Sequence, residues 1–442
     1  MRSYWMEAYG CQMSKAESDA IESLLLGQGW TKASVSEQAQ AVILNTCSVR
    51  QTAENRIWGR LGFFAHQKSV QPLVLILTGC MAERIPEELS SRARYIDYII
   101  GTNDKMRIVD ILNSRVTKEG VVRDRVKGAE APVKGDVYEF AKLHYSKDDV
   151  TAYVPIMNGC NNFCSYCIVP YVRGREISRS VESIIDEIKQ LDAMGVHEVQ
   201  LLGQNVNSYK YGDWTFARLL TEICRHLVNI QWVRFDSPHP KDFGDDVIEV
   251  LAREPRIAHH YHIPLQSGSD RILQLMNRRY DVSRYLDIID KIKAVIPDAT
   301  FSTDVMVGFP SETEEEAEQT RKVMERVGFI EALMYYWNPR EGTRANDMEG
   351  QISEKDKVAR LQKIIDFQLA NCALIKRNRV GDVQKVLVTQ VSRDDSKQML
   401  GRNEHSEMVA FDARDVLEIG SVVSVKFNSL NGNTFQGVLE DA

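Results

Sequence analysis

Apolar residues along the first 115 positions fall into two rhythms. Ala41–Leu44 and Leu73–Leu77 are apolar at every position, and an earlier β-rich run ends near Tyr9-Gly10-Cys11. Between them, apolar residues recur three and four apart: Ala16, Ile21, Leu24 and Leu25 in one stretch, Ile57, Leu61 and Phe64 in the next. A further strand is predicted at Tyr95–Ile100. Runs apolar on both faces, separated by amphipathic helices, predict a parallel sheet with helices on its two sides.

Residues 115–150 change character: charged residues and glycine dominate and the apolar period disappears, as in a linker or crossover. Alternation resumes over 151–340. Strands are predicted at Ala152–Met157, Glu198–Leu202, Trp232–Asp236, Tyr261–Leu265, Thr300–Val307 and Ala332–Trp337. Val181, Ile184, Ile185, Ile188 and Leu191 share one helical face, which Gly195 ends. Ser311 with Glu314 three residues on has the spacing of a capping box. Six βα units predict a partial (βα)6 TIM-type barrel, not a closed eight-fold one. A long helix over about Glu354–Lys376 leads out of it.

Beyond residue 380 the period becomes two. Val383–Val391, Met408–Phe411 and Val422–Phe427 read as strands, with a hairpin turn at Asn431-Gly432, which predicts a small antiparallel β-barrel. The chain is therefore α/β, with boundaries expected at 1–116, 117–145, 146–377 and 378–442.

Composition adds limits. At 442 residues the chain is long enough for two or three cores. No apolar run reaches membrane-spanning length, and Glu7, Gln12 and Lys15 interrupt any signal-peptide core, so a cytoplasmic protein without a membrane partner is expected. The net charge of −7 gives no overall attraction to nucleic acid. Local basic clusters at Arg173/Arg175/Arg179, Arg278/Arg279 and Lys376/Arg377/Arg379 are candidates for such contact, though each also reads as a solvated face. Residues 380–442 are acidic, with 6 Lys/Arg against 10 Asp/Glu.

The eight cysteines carry the chemistry. Cys160, Cys164 and Cys167 form Cys-x3-Cys-x2-Cys directly after a predicted strand, with Asn158-Gly159 allowing a sharp exit. Three thiolates on one loop can hold three irons of a cubane cluster and leave the fourth open, as reductive cleavage of a bound sulfonium requires. Tyr166 is placed to pack against an adenine. The alternative is a structural zinc loop, which wants a nearby fourth ligand; the nearest histidine, His197, lies beyond a whole helix. Cys11, Cys47 and Cys80 are 36 and 33 residues apart, yet each falls at the C-terminal end of a successive predicted strand. Open α/β sheets place ligands there, and a following helix N-terminus stabilises a thiolate. They are either a second three-cysteine cluster site or three core cysteines. Cys224 and Cys372 lie in apolar-periodic helices and read as core.

Together these motifs resemble the radical S-adenosylmethionine (SAM) methylthiotransferases over the whole chain. The carriers are Tyr9–Met13, Asn45–Arg50 and Gly79–Ala82, then Gly159–Gly174, Leu201–Tyr209, His262–Ser269 and Ser302–Thr313. Gly401–Phe411 resembles the TRAM domain, a small β-barrel linked to RNA binding. Asn45–Arg50 and Gly203–Tyr209 favour the tRNA branch over the branch that modifies a ribosomal-protein aspartate. Met157-Asn158 departs from the family, where Glu or Ser commonly precedes the Gly-Cys, and so does His405-Ser406.

The resemblance implies 2-methylthiolation of N6-isopentenyladenosine at position 37 of tRNA, with two SAM molecules and two [4Fe–4S] clusters. Cys160, Cys164 and Cys167 would hold the cluster that cleaves SAM to a 5′-deoxyadenosyl radical. Cys11, Cys47 and Cys80 would hold the auxiliary cluster whose sulfur is methylated and transferred. Gly203 and Gln204 would meet the SAM amino acid group, with Ser237, Gln266 and Gly308 as further SAM contacts; a backbone role in turning or packing is the alternative for each. The implied partners are the tRNA anticodon stem-loop and an electron donor such as flavodoxin or ferredoxin, with the chain acting as a monomer.

Overall fold

The computed structural model describes residues 2–48, 51–117, 120–121, 149–393, 395, 397–412 and 417–440. Most of the predicted linker lies outside them. The chain forms two compact units, one drawn from residues 1–145, 157–161 and 167–179, the other from 146–156, 162–166 and 180–442.

The first unit is a five-stranded parallel sheet built from β1 (Ser3–Ala8), β2 (Thr31–Lys32), β3 (Ala41–Thr46), β4 (Val74–Gly79) and β5 (Tyr98–Ile100), in the order β2-β1-β3-β4-β5. Every residue of β3 and β4 is buried. Successive side chains point to opposite faces. Thus Val42 and Leu44 pack with Ile57, Leu61 and Phe64 of α2 (Gln51–Val70). Ala41 and Ile43 pack on the other face with Ile21 and Leu25 of α1 (Gln12–Gly27) and with Ile108 and Leu112 of α5 (Arg107–Arg115). Chain direction reverses across the sheet between β1 and β3, the switch point where doubly wound sheets open a crevice. Between β4 and β5 come α3 (Cys80–Arg84) and α4 (Pro86–Arg92). The unit also includes α6 (Val169–Arg173) and a short antiparallel pair, Met157–Asn158 with Ile177–Ser178.

The second unit holds six parallel strands in chain order: β6 (Thr151–Pro155), β7 (Glu198–Leu202), β8 (Trp232–Phe235), β9 (His260–His262), β10 (Thr300–Val307) and β11 (Glu331–Tyr336). They form two three-stranded sheets, β6-β7-β8 and β9-β10-β11. The seam between β8 and β9 is closed by one parallel bridge, Val233 with Ile257. The helices α7 (Val181–Ala193), α8 (Phe216–Arg225), α9 (Asp245–Arg253), α10 (Asp270–Leu275), α11 (Val282–Val295) and α12 (Glu314–Val327) connect the strands, and α13 (Glu354–Arg377) follows. The apolar face predicted for α7 is buried at all five positions. The capping box is two residues later than the sequence spacing placed it: Thr313 and Glu316 form it, and Ser311 sits at φ 65° in the preceding turn.

The C-terminal strands β12 (Val383–Val391), β13 (Gln398–Asn403), β14 (Met408–Asp412), β15 (Val422–Asn431) and β16 (Thr434–Leu439) close into a barrel in the order β12-β13-β14-β16-β15. It is antiparallel except that β14 and β16 run parallel, because β15 crosses over before the chain returns. This barrel covers the N-terminal ends of β7 and β8. Arg234 pairs with Glu198 at 2.7 Å and donates to the carbonyls of Asn403 and Glu404 at 2.9 and 2.8 Å.

Candidate active site

Cys11 follows β1, Cys47 follows β3 and Cys80 follows β4, so adjacent parallel strands carry all three to one sheet edge, on either side of the β1/β3 switch point. A Cβ placed on Gly10 would lie 2.5 Å from the Cys47 Cβ, a measure of how closely the first two turns approach. Gly79, at φ +97°, is confined in the same way, since a Cβ there would lie 2.3 Å from the Thr46 carbonyl oxygen. Only glycine fits before Cys80.

Cys47 and Cys80 are buried; Cys11 keeps an exposed face, although protein surrounds its sulfur. The Cys47 thiol donates to the Cys11 sulfur and holds the Cys11 thiol well below its ordinary value, against the effect of burial and with the help of the Arg173 charge. Cys11 also caps α1, where the helix dipole favours a thiolate. Arg173, in turn, is buried and is held charged by Glu17, Cys80 and Cys11. Cys47 and the Arg173 charge thus both act on Cys11, while among the described residues no three His, Cys, Asp or Glu side chains converge closely enough to form a metal-holding group.

Of the loop cysteines, Cys160 and Cys167 belong to the first unit and Cys164 to the second. Gly159, at φ +83°, makes the turn into Cys160, whose N–H bonds the Gly174 carbonyl at 3.2 Å. In the second unit, the segment 162–166 is fastened to the end of α10. Ser165 N–H donates to Met276 O at 3.0 Å, Ser165 Oγ to Leu275 O at 2.8 Å, and Asn277 Nδ2 to Phe163 O at 2.9 Å. Arg278 is buried there, 3.5 Å from Cys164 Sγ and 3.4 Å from Tyr166 Oη. Burial opposes its charge, but Tyr166, Tyr280 and Cys164 keep it protonated. Tyr166 packs against Ile272, Met276, Phe309 and Trp337.

Gly203 and Gln204 follow β7 directly, Ser237 stands two residues past β8, and Gly308 follows β10; Gln266, four residues past β9, bridges Val305. Parallel strands bring all five to the C-terminal end of the barrel. Ser237 and Gln266 hold left-handed φ values of 58° and 67°, uncommon for residues with side chains and frequent where function constrains the backbone. Gly308 serves the backbone: its N–H donates to Glu312 Oε2 at 2.6 Å, and a Cβ would strike Lys357 at 2.5 Å. Between them the barrel lining is polar, with His262 3.0 Å from Ser302 Oγ and 3.4 Å from Asp304.

The basic clusters divide: Arg175, Arg279 and Arg377 are exposed, as the solvated-face reading has them, and the other five are placed differently from either reading. Arg173, Arg179, Arg278 and Lys376 are buried, and Arg379 pairs with Glu407 and Asp382. Arg173 and Arg278 are committed inside the protein by partners from distant parts of the chain, Glu17 and Cys164. Glu17 was the residue that the sequence pattern concealed, since it stands on α1 among other charged residues, Lys15, Asp19 and Glu22. Cys372 is buried with its thiol on the Ile330 carbonyl at 2.9 Å, and burial raises the Cys224 thiol to about 12.

Comparison with known proteins follows this division. Residues 3–101 match the Uncharacterized protein family UPF0004, and residues 154–324 the Radical SAM superfamily. The chain is 42% identical over 457 residues to a tRNA-2-methylthio-N(6)-dimethylallyladenosine synthase of Treponema pallidum, covering 99% of this chain and 98% of that one. It is 38% identical over 444 residues to a protein of the same description from Carboxydothermus hydrogenoformans, covering 99% of each. Among solved structures, the radical S-adenosylmethionine methyltransferase TsrM from Kitasatospora setae shares the fold, with a TM-score of 0.56 at 14% identity over 78% of this chain and 77% of that one. Among the described residues no helix is long and apolar enough to cross a membrane.

Proposed function

The chain belongs to the tRNA-2-methylthio-N(6)-dimethylallyladenosine synthases, and from that membership we propose how its residues divide the work of the family reaction. The enzyme replaces the C2 hydrogen of N6-isopentenyladenosine in tRNA with a methylthio group. The observation that carries this reading to the site is the gathering of Cys11, Cys47 and Cys80 at three adjacent strand ends beside the buried Arg173.

Cys11, Cys47 and Cys80 would hold one [4Fe–4S] cluster, and Cys160, Cys164 and Cys167 the other. When bound, the clusters and SAM supply the sulfur, the methyl group and the radical that removes hydrogen. The protein's own part is placement and shielding. Arg278 stands 3.5 Å from the Cys164 sulfur and helps to hold it in place. The Asn277 and Ser165 bonds keep that segment in one conformation. Tyr166, Gly203, Gln204, Ser237 and Gln266 present the SAM-binding face at the barrel mouth, with Gly308 shaping the backbone beside them. The apolar packing on both faces of the sheet beneath the dispersed triad would keep water from the sulfur chemistry. The C-terminal barrel is the tRNA-holding module in this reading, a flavodoxin or ferredoxin is the reductant, and the chain acts as a monomer.

Mass spectrometry of bulk tRNA nucleosides from a strain lacking the gene tests the reaction. Methylthio-isopentenyladenosine should vanish and isopentenyladenosine accumulate; an unchanged nucleoside profile would refute the assignment. The division of labour is read with purified protein under dithionite. Cys11→Ala, Cys47→Ala or Cys80→Ala should each leave 5′-deoxyadenosine formation measurable and abolish methylthiolation. Cys164→Ala should abolish both. Circular dichroism accompanies the assay, and a folded Cys47→Ala protein that still methylthiolates tRNA at the normal rate would sink the sulfur-carrying role of this triad.

A further inference from the structure

The elements that carry Cys11, Cys47 and Cys80 meet on one buried polar network in the first unit. Helix α1, which starts from Cys11, contributes Ser14, Glu17 and Ser18. Strand β3, which runs into Cys47, contributes Asn45, whose Nδ2 donates to Ser14 O at 2.8 Å and to Ser18 Oγ at 2.9 Å. Lys105 donates to Asn45 Oδ1 at 3.2 Å and pairs with Glu17. Helix α6, which ends at Arg173, packs Ile168 and Val172 on Cys80. Arg173 closes the network, with Nη1 and Nη2 donating to Glu17 at 2.8 and 3.2 Å and Nη1 to Asn158 Oδ1 at 2.9 Å.

Glu17, Lys105 and Arg173 are 5%, 3% and 4% exposed. Two buried cations against one buried carboxylate leave an excess of one positive charge. An uncompensated buried charge is expensive, so it needs an anion nearby. The Cys80 and Cys11 sulfurs are the further groups whose charge would act on Arg173, and Val172, its neighbour in the chain, packs on Cys80.

We propose that Arg173, oriented by Glu17 and Asn158, is the positioning and charge-compensating residue of the Cys11/Cys47/Cys80 triad, and that the excess charge of the Arg173–Glu17–Lys105 network raises the reduction potential of the cluster held there. This rests on the assignment of a cluster to the triad. An added electron makes the thiolate-ligated group more negative, and a fixed buried cation favours that state. Asn158 matters because it is neutral: it orients Arg173 without cancelling its charge.

The test uses full-length protein in which Cys160, Cys164 and Cys167 are all alanine, so that only the dispersed triad can carry iron. The midpoint potential is followed by electron paramagnetic resonance. Arg173→Gln and Asn158→Asp should each lower it, by at least a tenfold change in the reduced-to-oxidised ratio at fixed potential, or about 59 mV for one electron. Glu17→Gln should raise it, and Arg173→Lys should stay near the parent. Opposite signs for Glu17→Gln and Arg173→Gln are what a purely structural role would not produce. If Arg173→Gln assembles no cluster, retention of iron by Arg173→Lys supports the charge role, and loss from both overturns it. If Glu17→Gln assembles none, Asn158→Asp decides the sign. Unchanged potentials in Asn158→Asp and Arg173→Gln, or a rise in either, overturn the proposal. A parent protein with Arg173 intact and no iron would instead overturn the cluster assignment.

Discussion

Burial by itself would push the Glu17 carboxyl upward; Arg173 and Lys105 outweigh it and hold the group at about 2. A carboxyl depressed in the folded state contributes stability above its unfolded value, near 4.5, and loses it as pH falls toward 2. The contribution at neutral pH is about 3 kcal/mol. Glu17→Gln should therefore destabilise the metal-free protein at pH 7, and the gap to wild type should close between about pH 4.5 and 2 in urea denaturation. A gap of constant size across that range would show that packing, not charge, is what Glu17 supplies. Residues of this kind were poorly legible. Arg173 and Arg278 stand in local sequence among other arginines, where solvent or nucleic acid is the natural partner. Their actual partners, Glu17 and Cys164, are more than a hundred positions away. The turn at the last hairpin was displaced by one residue for a local reason: Gly432 and Asn433 occupy the centre, and Gly432 takes the positive φ of 58° at its first position.

Among the elements, strands and long helices followed the hydrophobic period closely, since burial of a repeating face is what stabilises them. Which ends they present, and to what, depended on order in the sheet. Arg234 illustrates the consequence. It projects from β8 toward the C-terminal barrel, where it joins Glu198 to the Asn403 and Glu404 carbonyls. Arg234→Met should leave Glu198 buried with only Arg402, 3.6 Å away, as a cationic partner, and cost about 3 kcal/mol. Thermal denaturation would read this as a lower Tm, restored in part by the double change with Glu198→Leu. An unchanged Tm in Arg234→Met would mean that the remaining contacts, such as Arg402 with Glu198 at 3.6 Å and Trp232 with Leu387, suffice to hold the two barrels. The same packing bears on removal of residues 380–442: truncation uncovers Arg234, Glu198 and Trp232, so a loss of tRNA binding in a truncated protein is interpretable only beside a measurement of barrel stability.

For the whole molecule, two triads of cysteine predict roughly eight irons per chain after anaerobic reconstitution. Replacing Cys160, Cys164 and Cys167 together should remove about half of that iron, as should replacing Cys11, Cys47 and Cys80. Zinc as the main metal, or iron indifferent to either triple change, would contradict the two-cluster assignment.

The local chemistry was legible because it is encoded by short spacings. Cys-x3-Cys-x2-Cys, the glycines before Cys80 and Cys160, and the apolar period of β3, β4 and α7 each lie within a dozen residues, where backbone geometry and burial act directly. From them followed the α/β class, the partial barrel, the small terminal barrel and the six candidate ligands. Tertiary structure alone decided the strand order β2-β1-β3-β4-β5, which sets the switch point between Cys11 and Cys47. It also decided the burial of Glu17, Lys105 and Arg173 together and the contact of the terminal domain with Arg234. Those features depend on pairing energies between distant residues, and no local period records which of several similar arginines will find a buried carboxylate.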